Sequence, residues 1–345
     1  MAVARSKIEW TDSTWSPVRG CALVSAGCTN CYAMRQAHRF SGKGQPYEKL
    51  TKMTSHGPVW TGAARTVPER LDQPLRWRKP RRIFVNSMSD LFHEDVADDF
   101  IDDVFAVMAL TPRHTFQVLT KRPERMRSYL TSAHGNGTPR RDGIVKGRAW
   151  SMLGQLPKYH HEDLIRRPWP LSNVWLGISA EDQATLDERW LHLKKTPAAV
   201  RFVSLEPLLG EISFVGLFAN PNDMRDVTNA LEEIDWLITG GESGPHARPS
   251  HPEWFRSLRD QCQAAGVPFF FKQWGEWEIA SAANGQHDPD MARSAAIWLH
   301  IDGVQTKPSC LRYGKTDTQP YGMIRVGKKT AGRILDGRTW DEYPK

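Results

Sequence analysis

The chain has 345 residues, of which 40 % are hydrophobic and 25 % are charged. This composition is typical of a globular protein with a sizeable core and excludes an intrinsically disordered chain. No stretch approaches the roughly 18 uninterrupted apolar residues of a membrane span, and no apolar leader begins the sequence, so we expect a cytoplasmic protein without a membrane partner. The net charge of +7 is compatible with nucleic acid as a partner, although the basic residues are scattered, with modest concentrations at residues 76–82 and at Arg140-Arg141.

Short apolar runs recur along the chain, and most precede a segment whose apolar residues have helical spacing. They lie at residues 82–86, 115–120, 173–178, 201–205, 235–239 and 267–272, after an earlier run at about 14–18. Largely apolar strands that alternate with helices are typical of a parallel sheet covered on both faces. The sequence therefore predicts an α/β fold, a partial parallel (β/α)6-type barrel, with a doubly wound open sheet as the alternative.

Two regions depart from this alternation. Residues 132–170 are rich in Gly, Pro and basic side chains and are interpreted as an insertion into a barrel domain that covers residues 1–275. Residues 276–345 predict a small β-rich C-terminal extension, in which the run at 296–301 and the turn Asp302-Gly303 indicate a strand pair.

Polar side chains follow each predicted strand. In barrels and in open parallel sheets alike, ligands bind at the carboxyl ends of the strands. We therefore expect one binding site formed by the residues at these ends, which are Ser89, Asp90, Lys121, Ser179, Glu181, Asp182, Glu206, Glu242, Lys272 and Gln273.

Three of the five cysteines lie within eleven residues, at Cys21, Cys28 and Cys31, after the first predicted strand. An odd number of cysteines crowded in this way does not indicate a disulfide framework. Grouped thiolates are soft ligands that suit an iron–sulfur cluster or zinc. Three thiolates would leave one iron of a [4Fe–4S] cluster open to a substrate or cofactor, whereas a structural zinc site needs a fourth ligand, which His38 could supply. The spacing alone leaves both metal centres open.

The cysteine loop together with the strand pattern resembles the radical S-adenosylmethionine enzymes. In those enzymes three cysteines after the first strand hold a [4Fe–4S] cluster, and the methionine part of S-adenosylmethionine binds the fourth iron. Their usual spacing is C-x3-C-x2-C, and the first gap here has six residues. The resemblance implies that Cys21, Cys28 and Cys31 hold such a cluster, and that reductive cleavage of the cofactor yields a 5′-deoxyadenosyl radical.

Four later segments resemble the spore photoproduct lyase-like branch of that superfamily, in the same order along the chain. They are Ser89-Asp90, Leu119-Thr120-Lys121, Ile178-Ser179-Ala180-Glu181 and Glu206-Pro207. The resemblance implies that Lys121 and Ser179 hold the carboxylate and amino groups of the cofactor's methionine. Ser89 or Asp90 would help to hold it, since carboxylates and hydroxyls accept hydrogen bonds from an ammonium group.

Three glutamates complete the residues expected around the cofactor. Glu181 and Glu206 belong to the matched segments, and Glu242 ends a Gly-Gly-Glu sequence similar to the superfamily's GGE motif. That motif normally follows the second strand, and here it follows a much later one, so a tight turn that exposes Glu242 to a substrate pocket is the alternative.

The whole chain resembles a family of phage and bacterial proteins of unassigned activity, described by its three-cysteine motif. The matching segments span nearly the full length and include SKIEWTDSTWSPVRGC, CTNCYA, NSMSDLFHE, VLTKRPERM, SLEPLLG, GGESGPHARP, FFFKQWGEW and GRILDGRTWDEYP.

Two hypotheses for function remain. The first is a radical S-adenosylmethionine enzyme, with no catalytic residue assigned, whose substrate is a nucleic acid or nucleotide and whose site a partner protein could complete. The second is a non-catalytic, zinc-stabilised nucleic-acid-binding protein that uses Cys21, Cys28, Cys31 and His38 as ligands. Iron in the purified protein would favour the first hypothesis, and stoichiometric zinc the second.

Overall fold

The computed structural model describes residues 6–132, 140–153, 164, 166–214, 230–280, 297–306 and 320–345. The chain divides into two compact units. Unit 1 comprises Met1–Val24, Cys31–Ile178 and Glu188–Phe202, and unit 2 comprises Ser25–Asn30, Ser179–Asp187 and Val203–Lys345. The expected domain boundary near residue 275 stays a prediction.

The strands follow the apolar runs of the sequence closely. In chain order they are β1 (Ser13–Trp15), β2 (Val18–Gly20), β3 (Thr51–Thr54), β4 (Gly57–Trp60), β5 (Ala64–Thr66), β6 (Arg82–Val85), β7 (Thr115–Thr120), β8 (Val174–Ala180), β9 (Val200–Leu205), β10 (Trp236–Gly240), β11 (Phe269–Gln273), β12 (Trp277–Ile279), β13 (Ile297–Leu299), β14 (Gln305–Thr306) and β15 (Tyr321–Arg325). The helices are α1 (Tyr32–His38), α2 (Asp98–Leu110), α3 (Pro123–Thr131), α4 (Arg140–Leu153), α5 (Gln183–Lys194), α6 (Pro252–Ala265) and α7 (Lys328–Ala331).

Seven strands form one sheet in the order β1-β6-β7-β8-β9-β10-β11. The pairings β1–β6, β6–β7, β7–β8 and β10–β11 are parallel, with Ser13 opposite Ile83 in the first and Leu237 opposite Phe269 in the last. Strand order follows chain order throughout, whereas a doubly wound sheet reverses its order at a switch point. The mixed α/β class is thus confirmed, and the finer assignment to a (β/α)6-type barrel stays a prediction.

Unit 1 buries the large side chains of its strands. Trp15, Ile83 and Phe116 are fully buried, and such continuously apolar strands suit a sheet whose two faces are both covered. Two short antiparallel pairs precede β6: β2 pairs with β5, and β3 pairs with β4 in a hairpin. The sequence analysis did not predict these pairs.

Helix α4 lies within the segment interpreted as an insertion and packs against α2 in unit 1. The carboxylate of Asp102, buried on α2, accepts hydrogen bonds from the Tyr129 hydroxyl at 2.7 Å and from Arg141 at 3.1 and 3.2 Å. Arg141, which belongs to the basic stretch Arg140-Arg141 of the sequence, thus forms an ion pair inside the fold. Residues 133–139, 154–163 and 165 of the expected insertion lie outside the described residues.

Helix α6 in unit 2 has a capping residue at each end. Nδ1 of His251, the N-cap, accepts a hydrogen bond from the Glu253 amide at 3.2 Å, and Pro252 occupies the first turn, where its missing N–H is not needed. Gly266 ends the helix with φ +69°, a left-handed conformation that favours glycine. The capped helix buries its apolar face, including Phe255, in unit 2.

The C-terminal part of unit 2 forms an antiparallel sheet in the order β12-β15-β13-β14. The strand pair expected there is confirmed, and Gly303 in its turn has φ +83°. An isolated antiparallel bridge between Phe270 and Asp341 joins the C-terminal segment to β11. This bridge covers part of a sheet edge, whose unpaired N–H and C=O groups would otherwise be exposed. Among the residues that the structure describes, no helix combines the length and apolar character that a membrane crossing requires.

Candidate functional site

Asp90, which follows β6, is a buried carboxylate at the centre of a hydrogen-bond network in unit 1. Its oxygens accept hydrogen bonds from the Thr120 hydroxyl at 2.8 and 2.9 Å and from the Lys121 amide at 3.2 Å. Both donors lie at the carboxyl end of β7. The network therefore joins two consecutive strand ends, at the edge of the sheet where the sequence places a site.

Arg122 connects this network to the cysteine loop. Its Nη1 donates to Asp90 Oδ2 at 3.2 Å and to the sulfur of Cys21 at 4.0 Å, while its Nε donates to Glu94 at 2.9 Å. The Arg122 side chain is only 8 % exposed. Burial alone would lower the pKa of the guanidinium, but Asp90, Glu94 and Cys21 outweigh burial and raise that pKa above its ordinary value. A buried, permanently charged group thus lies beside the Cys21 thiol.

Cys21 and Cys31 share one apolar environment in unit 1. Both pack against a buried cluster formed by Ala33, Met34, Ala37, Leu50 and Trp60. Cys31 is the N-cap residue of α1, which supplies three side chains of that cluster. Each of the two thiols is half-buried, so the cluster fixes them on one side without closing them off from solvent.

Ser89 has a backbone partner in the structure. Its hydroxyl donates to the carbonyl oxygen of Val18 at 2.8 Å, and Ser89 also forms an isolated parallel bridge with Gly20. These contacts tie β2, which leads directly to Cys21, to the turn that carries Asp90. The role expected of Ser89 at a cofactor stays a prediction, and its described contacts are structural.

In unit 2, two of the expected glutamates hold the short segment Ser25–Asn30, which carries Cys28. Glu181 is fully buried, and its Oε1 accepts a hydrogen bond from the Gly27 amide at 2.9 Å. Glu242, which follows β10, accepts from the side-chain amide of Asn30 at 3.0 Å. These carboxylates bind the loop of the middle cysteine, and their expected contact with a cofactor stays a prediction.

Arg248 completes the hold on this segment. It forms an ion pair with Glu242 at 2.6 Å, and its Nη2 also donates to the carbonyl oxygen of Ala26 at 2.9 Å. The backbone amide of Arg248 donates to Glu242 as well, at 2.8 Å. A carboxylate that accepts several charge-assisted hydrogen bonds is held in a single position, and the segment bound to it is held with it.

The two glycines before Glu242 are required by close packing in unit 2. A Cβ atom on Gly241 would lie 1.9 Å from the Trp274 carbonyl oxygen, and one on Gly240 would lie 2.7 Å from Glu206 Oε1. Glu206 itself forms an ion pair with Lys272 at 3.0 Å. The Ser179 hydroxyl donates to the backbone oxygen of Glu206 at 3.4 Å, so the ends of β8, β9 and β11 meet around Glu206.

The start of α5 is capped by a residue that follows β8. Ser179 lies inside β8, and the side chain of Asp182 accepts a hydrogen bond from the Thr185 amide at 2.9 Å. Asp182 is therefore the residue that caps α5. Ser179 lies near the end of β8 with its hydroxyl bonded to the backbone oxygen of Glu206, and its expected contact with a cofactor stays a prediction.

Within the described part of the chain, no metal centre is preassembled. Among the described residues, no group of three or more His, Cys, Asp or Glu side chains stands close enough to hold a metal ion. Nδ1 of His38, the fourth zinc ligand in the rival hypothesis, lies 3.0 Å from the Thr51 hydroxyl and 3.3 Å from that of Ser41. Both metal hypotheses therefore stay predictions.

Sequence reasoning missed four residues of these networks: Asn30, Thr120, Arg122 and Arg248. Two of them carry a usable signal, since Thr120 and Arg122 flank Lys121 in the matched segment at the end of β7. Asn30 carries none, because its partner Glu242 lies far away along the chain. Arg248 is six residues from its partner Glu242, but its contact with Ala26 spans 222 positions. Only the folded structure brings Asn30 to Glu242, a residue 212 positions later.

Residues 5–344 match the family described as "Protein of unknown function (DUF5131)", and the chain belongs to that family. The expected membership of a family without an assigned activity is confirmed to this extent. No curated protein and no solved structure matches the chain.

Proposed function

We propose that this DUF5131 chain is a radical S-adenosylmethionine enzyme in which Cys21, Cys28 and Cys31 hold a [4Fe–4S] cluster. The observation that carries the proposal is the contact between Arg122 and Cys21. It joins a cysteine of the C-x6-C-x2-C loop to a polar network at the ends of two parallel strands. A structural thiol has no need of a buried cation, whereas a thiolate ligand is stabilised by one.

The donor set fits the chemistry of such a cluster. The three thiols are half-buried, as a centre that must admit a cofactor requires. Each lies on a segment fixed by other contacts: Cys21 and Cys31 pack on the apolar cluster, and Cys28 lies on the segment bound by Glu181 and Glu242. The thiolates are the soft ligands that iron–sulfur clusters take. Cluster binding would have to gather the three sulfurs, since the described residues contain no preassembled group of three ligands.

When bound and reduced by an external one-electron donor, such a cluster supplies the electron that splits S-adenosylmethionine into methionine and a 5′-deoxyadenosyl radical. The chain itself would bind and orient the cofactor. Lys121 supplies a cation for the methionine carboxylate, and Ser179 supplies a hydroxyl that accepts from its ammonium group. Asp90 holds the amide of Lys121 and thereby fixes the backbone from which the lysine extends.

The decisive experiment is metal analysis of protein purified without oxygen. We expect about four iron and four sulfide per chain, with visible absorption that decreases on reduction. Cys21→Ser, Cys28→Ser and Cys31→Ser should each lose this absorption. Cys262→Ser is the matched control, because Cys262 is fully buried in α6 and should keep the iron content unchanged. Colourless protein with stoichiometric zinc, lost in His38→Ala, would establish the non-catalytic zinc hypothesis instead.

A second experiment separates an enzyme from a protein that merely binds a cluster. Reduced protein incubated with S-adenosylmethionine should release 5′-deoxyadenosine and methionine in equal amounts. Lys121→Ala should weaken cofactor binding while the iron content stays that of the wild type. Iron without any 5′-deoxyadenosine from the reduced protein would refute the enzymatic part of the proposal.

A further inference from the structure

The positive charge of this protein is concentrated in one part of the chain. Residues 13–68, here called the basic segment, contain seven Lys and Arg residues and a single acidic residue, Glu48. Its net charge is +6, so the rest of the chain, with the remaining 39 basic and 38 acidic residues, carries only +1. The concentrations noted at residues 76–82 and 140–141 therefore do not account for the excess.

The cations of the basic segment have no neutralising carboxylate among the described residues. None of the seven forms an ion pair with a carboxylate among the described residues; they are Arg19, Arg35, Arg39, Lys43, Lys49, Lys52 and Arg65. Elsewhere arginines are regularly paired, as Arg141 is with Asp102 and Arg256 with Asp336. The basic segment is thus an electrostatic exception within the molecule.

Two of these cations face each other directly. In the antiparallel pair of β2 and β5, Arg19 lies opposite Arg65, and like charges at such positions destabilise a sheet. Burial and the nearby positive charges of Arg70 and Arg65 lower the pKa of Arg19, although Tyr47 and Glu69 act against them. No countercharge between β2 and β5 offsets this repulsion among the described residues. Such an arrangement is expected where an external anion supplies the countercharge.

Helix α1 presents a second row of cations. Its buried residues Ala33, Met34 and Ala37 lie on one side, and the 3.6-residue period places Tyr32, Arg35 and Arg39 on the other. The Tyr32 ring is 47 % exposed, and Phe40, directly after Arg39, is 45 % exposed. Exposed aromatic rings between unpaired cations are the pattern of surfaces that track a phosphate backbone and stack on its bases.

We infer that the basic segment binds a single-stranded nucleic acid, with its cations on the phosphates and Tyr32 and Phe40 against unpaired bases. Single strands are favoured because rings can stack only on bases that are free of a duplex. Cys31 caps the same helix that carries Tyr32, Arg35 and Arg39, so the bound strand lies beside the cysteine loop. Binding is independent of the metal, whereas the identification of this strand as the substrate rests on the proposed function.

Fluorescence anisotropy with short labelled oligonucleotides tests the inference. Affinity for single strands should fall steeply between about 50 and 200 mM salt, with a logarithmic slope of about −0.7 for each phosphate contacted. The double variant Arg39→Glu/Lys52→Glu should weaken binding at least about tenfold. Lys79→Glu/Lys329→Glu is the matched control, because it changes the net charge equally at two exposed lysines outside the basic segment, and it should change affinity by less than about threefold. An equal loss in both double variants would overturn the assignment of the surface.

The stacking part has its own test. Phe40→Ala should weaken single-strand binding about fivefold and leave binding to a duplex of the same sequence unchanged. Tighter binding to the duplex, or equal binding to anionic phosphatidylserine vesicles, would overturn the inference. DNA and RNA versions of the single strand are compared in parallel to identify the sugar that is preferred. Since Arg39 and Phe40 are exposed, these variants should fold, and Arg39→Gln provides a milder change.

The same measurement on the Cys21→Ser/Cys28→Ser/Cys31→Ser protein separates the two proposals. Unchanged single-strand affinity in this variant supports the basic segment as the binding surface, whether or not the protein contains iron. Loss of affinity in it would show that binding needs the metal centre and would overturn the inference drawn from the charges.

Discussion

Two buried carboxylates, one in each unit, pair with an arginine that contacts a cysteine segment. In unit 1 Arg122, bound to Asp90, donates to the sulfur of Cys21. In unit 2 Arg248, bound to Glu242, donates to the backbone oxygen of Ala26, two residues before Cys28. The first pair places a positive charge beside the sulfur of Cys21. The second pair instead holds the backbone at Ala26 in place. The same ionic motif therefore provides electrostatic stabilisation in one region and geometric restraint in the other.

The largest effect should come from breaking the more buried pair. Asp90→Asn removes the buried countercharge of Arg122, since these two side chains are only 7 % and 8 % exposed, and leaves only Glu94, which is 68 % exposed. Losing the buried partner of a buried charge should lower the free energy of unfolding by about 3 kcal/mol or more, measurable by urea denaturation. The control is Asp72→Asn in the exposed Asp72–Arg76 pair, which should cost less than about 1 kcal/mol. Equal losses in the two variants would mean that Arg122 finds another partner.

Acid should weaken unit 2 through the buried His251, the N-cap of α6. Burial lowers the pKa of His251 to about 4, below its ordinary value of 6.5. The unfolded state therefore binds more protons between these values, and stability falls as the pH is lowered from about 6.5 to 4, by about 3 kcal/mol in all. His251→Asn keeps a hydrogen-bond acceptor at the N-cap and removes the titration. Its unfolding free energy should depend less on pH in this window than that of the wild type.

Breaking the pair in unit 2 should cost less, because the Arg248 side chain is 31 % exposed and water can solvate it. Glu242→Ala should lower the free energy of unfolding by about 2 kcal/mol and release the segment that carries Cys28. Iodoacetamide should then alkylate Cys28 faster, as measured by peptide mass spectrometry. Glu278→Ala, at an exposed residue of β12, is the control. Unchanged alkylation of Cys28 would show that Glu181 alone holds the segment.

The smallest effect should be on the reactivity of a single thiol. Arg122→Gln removes the positive charge beside Cys21, and since a nearby cation favours the thiolate, alkylation of Cys21 should slow severalfold relative to Cys28 in the same sample. Arg122→Lys, which keeps the charge, should restore part of the rate. Faster alkylation in Arg122→Gln would indicate that Arg122 restrains the loop instead, and the contrast between the two pairs would disappear.

Local patterns in the sequence predicted the main strands well. The runs at residues 82–86, 115–120 and 201–205 correspond to β6, β7 and β9 within a residue or two at each end, because a strand buried on both faces must be apolar along its whole length. The same patterns missed β3, β4 and β5. Their residues are mixed in polarity and form small two-stranded pairs at the protein surface, where packing imposes little periodicity.

The candidate site was predictable only in part. Its position at the strand ends, its cysteines and its charged residues follow from sequence order, since the connections of a parallel sheet bring successive carboxyl ends to one edge. The order of residues in the sequence does not indicate which group each charged side chain binds. Nothing in the sequence near Glu181 indicates that it binds the amide of Gly27, 154 residues earlier.

The sequence by itself determined the α/β class, the order of the strands and the excess of positive charge in residues 13–68. The tertiary structure decided which of the chain's positive charges are neutralised. Arg141 is withdrawn into an ion pair with Asp102, while Arg39 and Lys52 stay exposed. The physical reason is the separation of the interacting residues along the sequence. Strand formation reflects the polarity of neighbouring residues, whereas an ion pair depends on the packing of segments that meet only once the chain has folded.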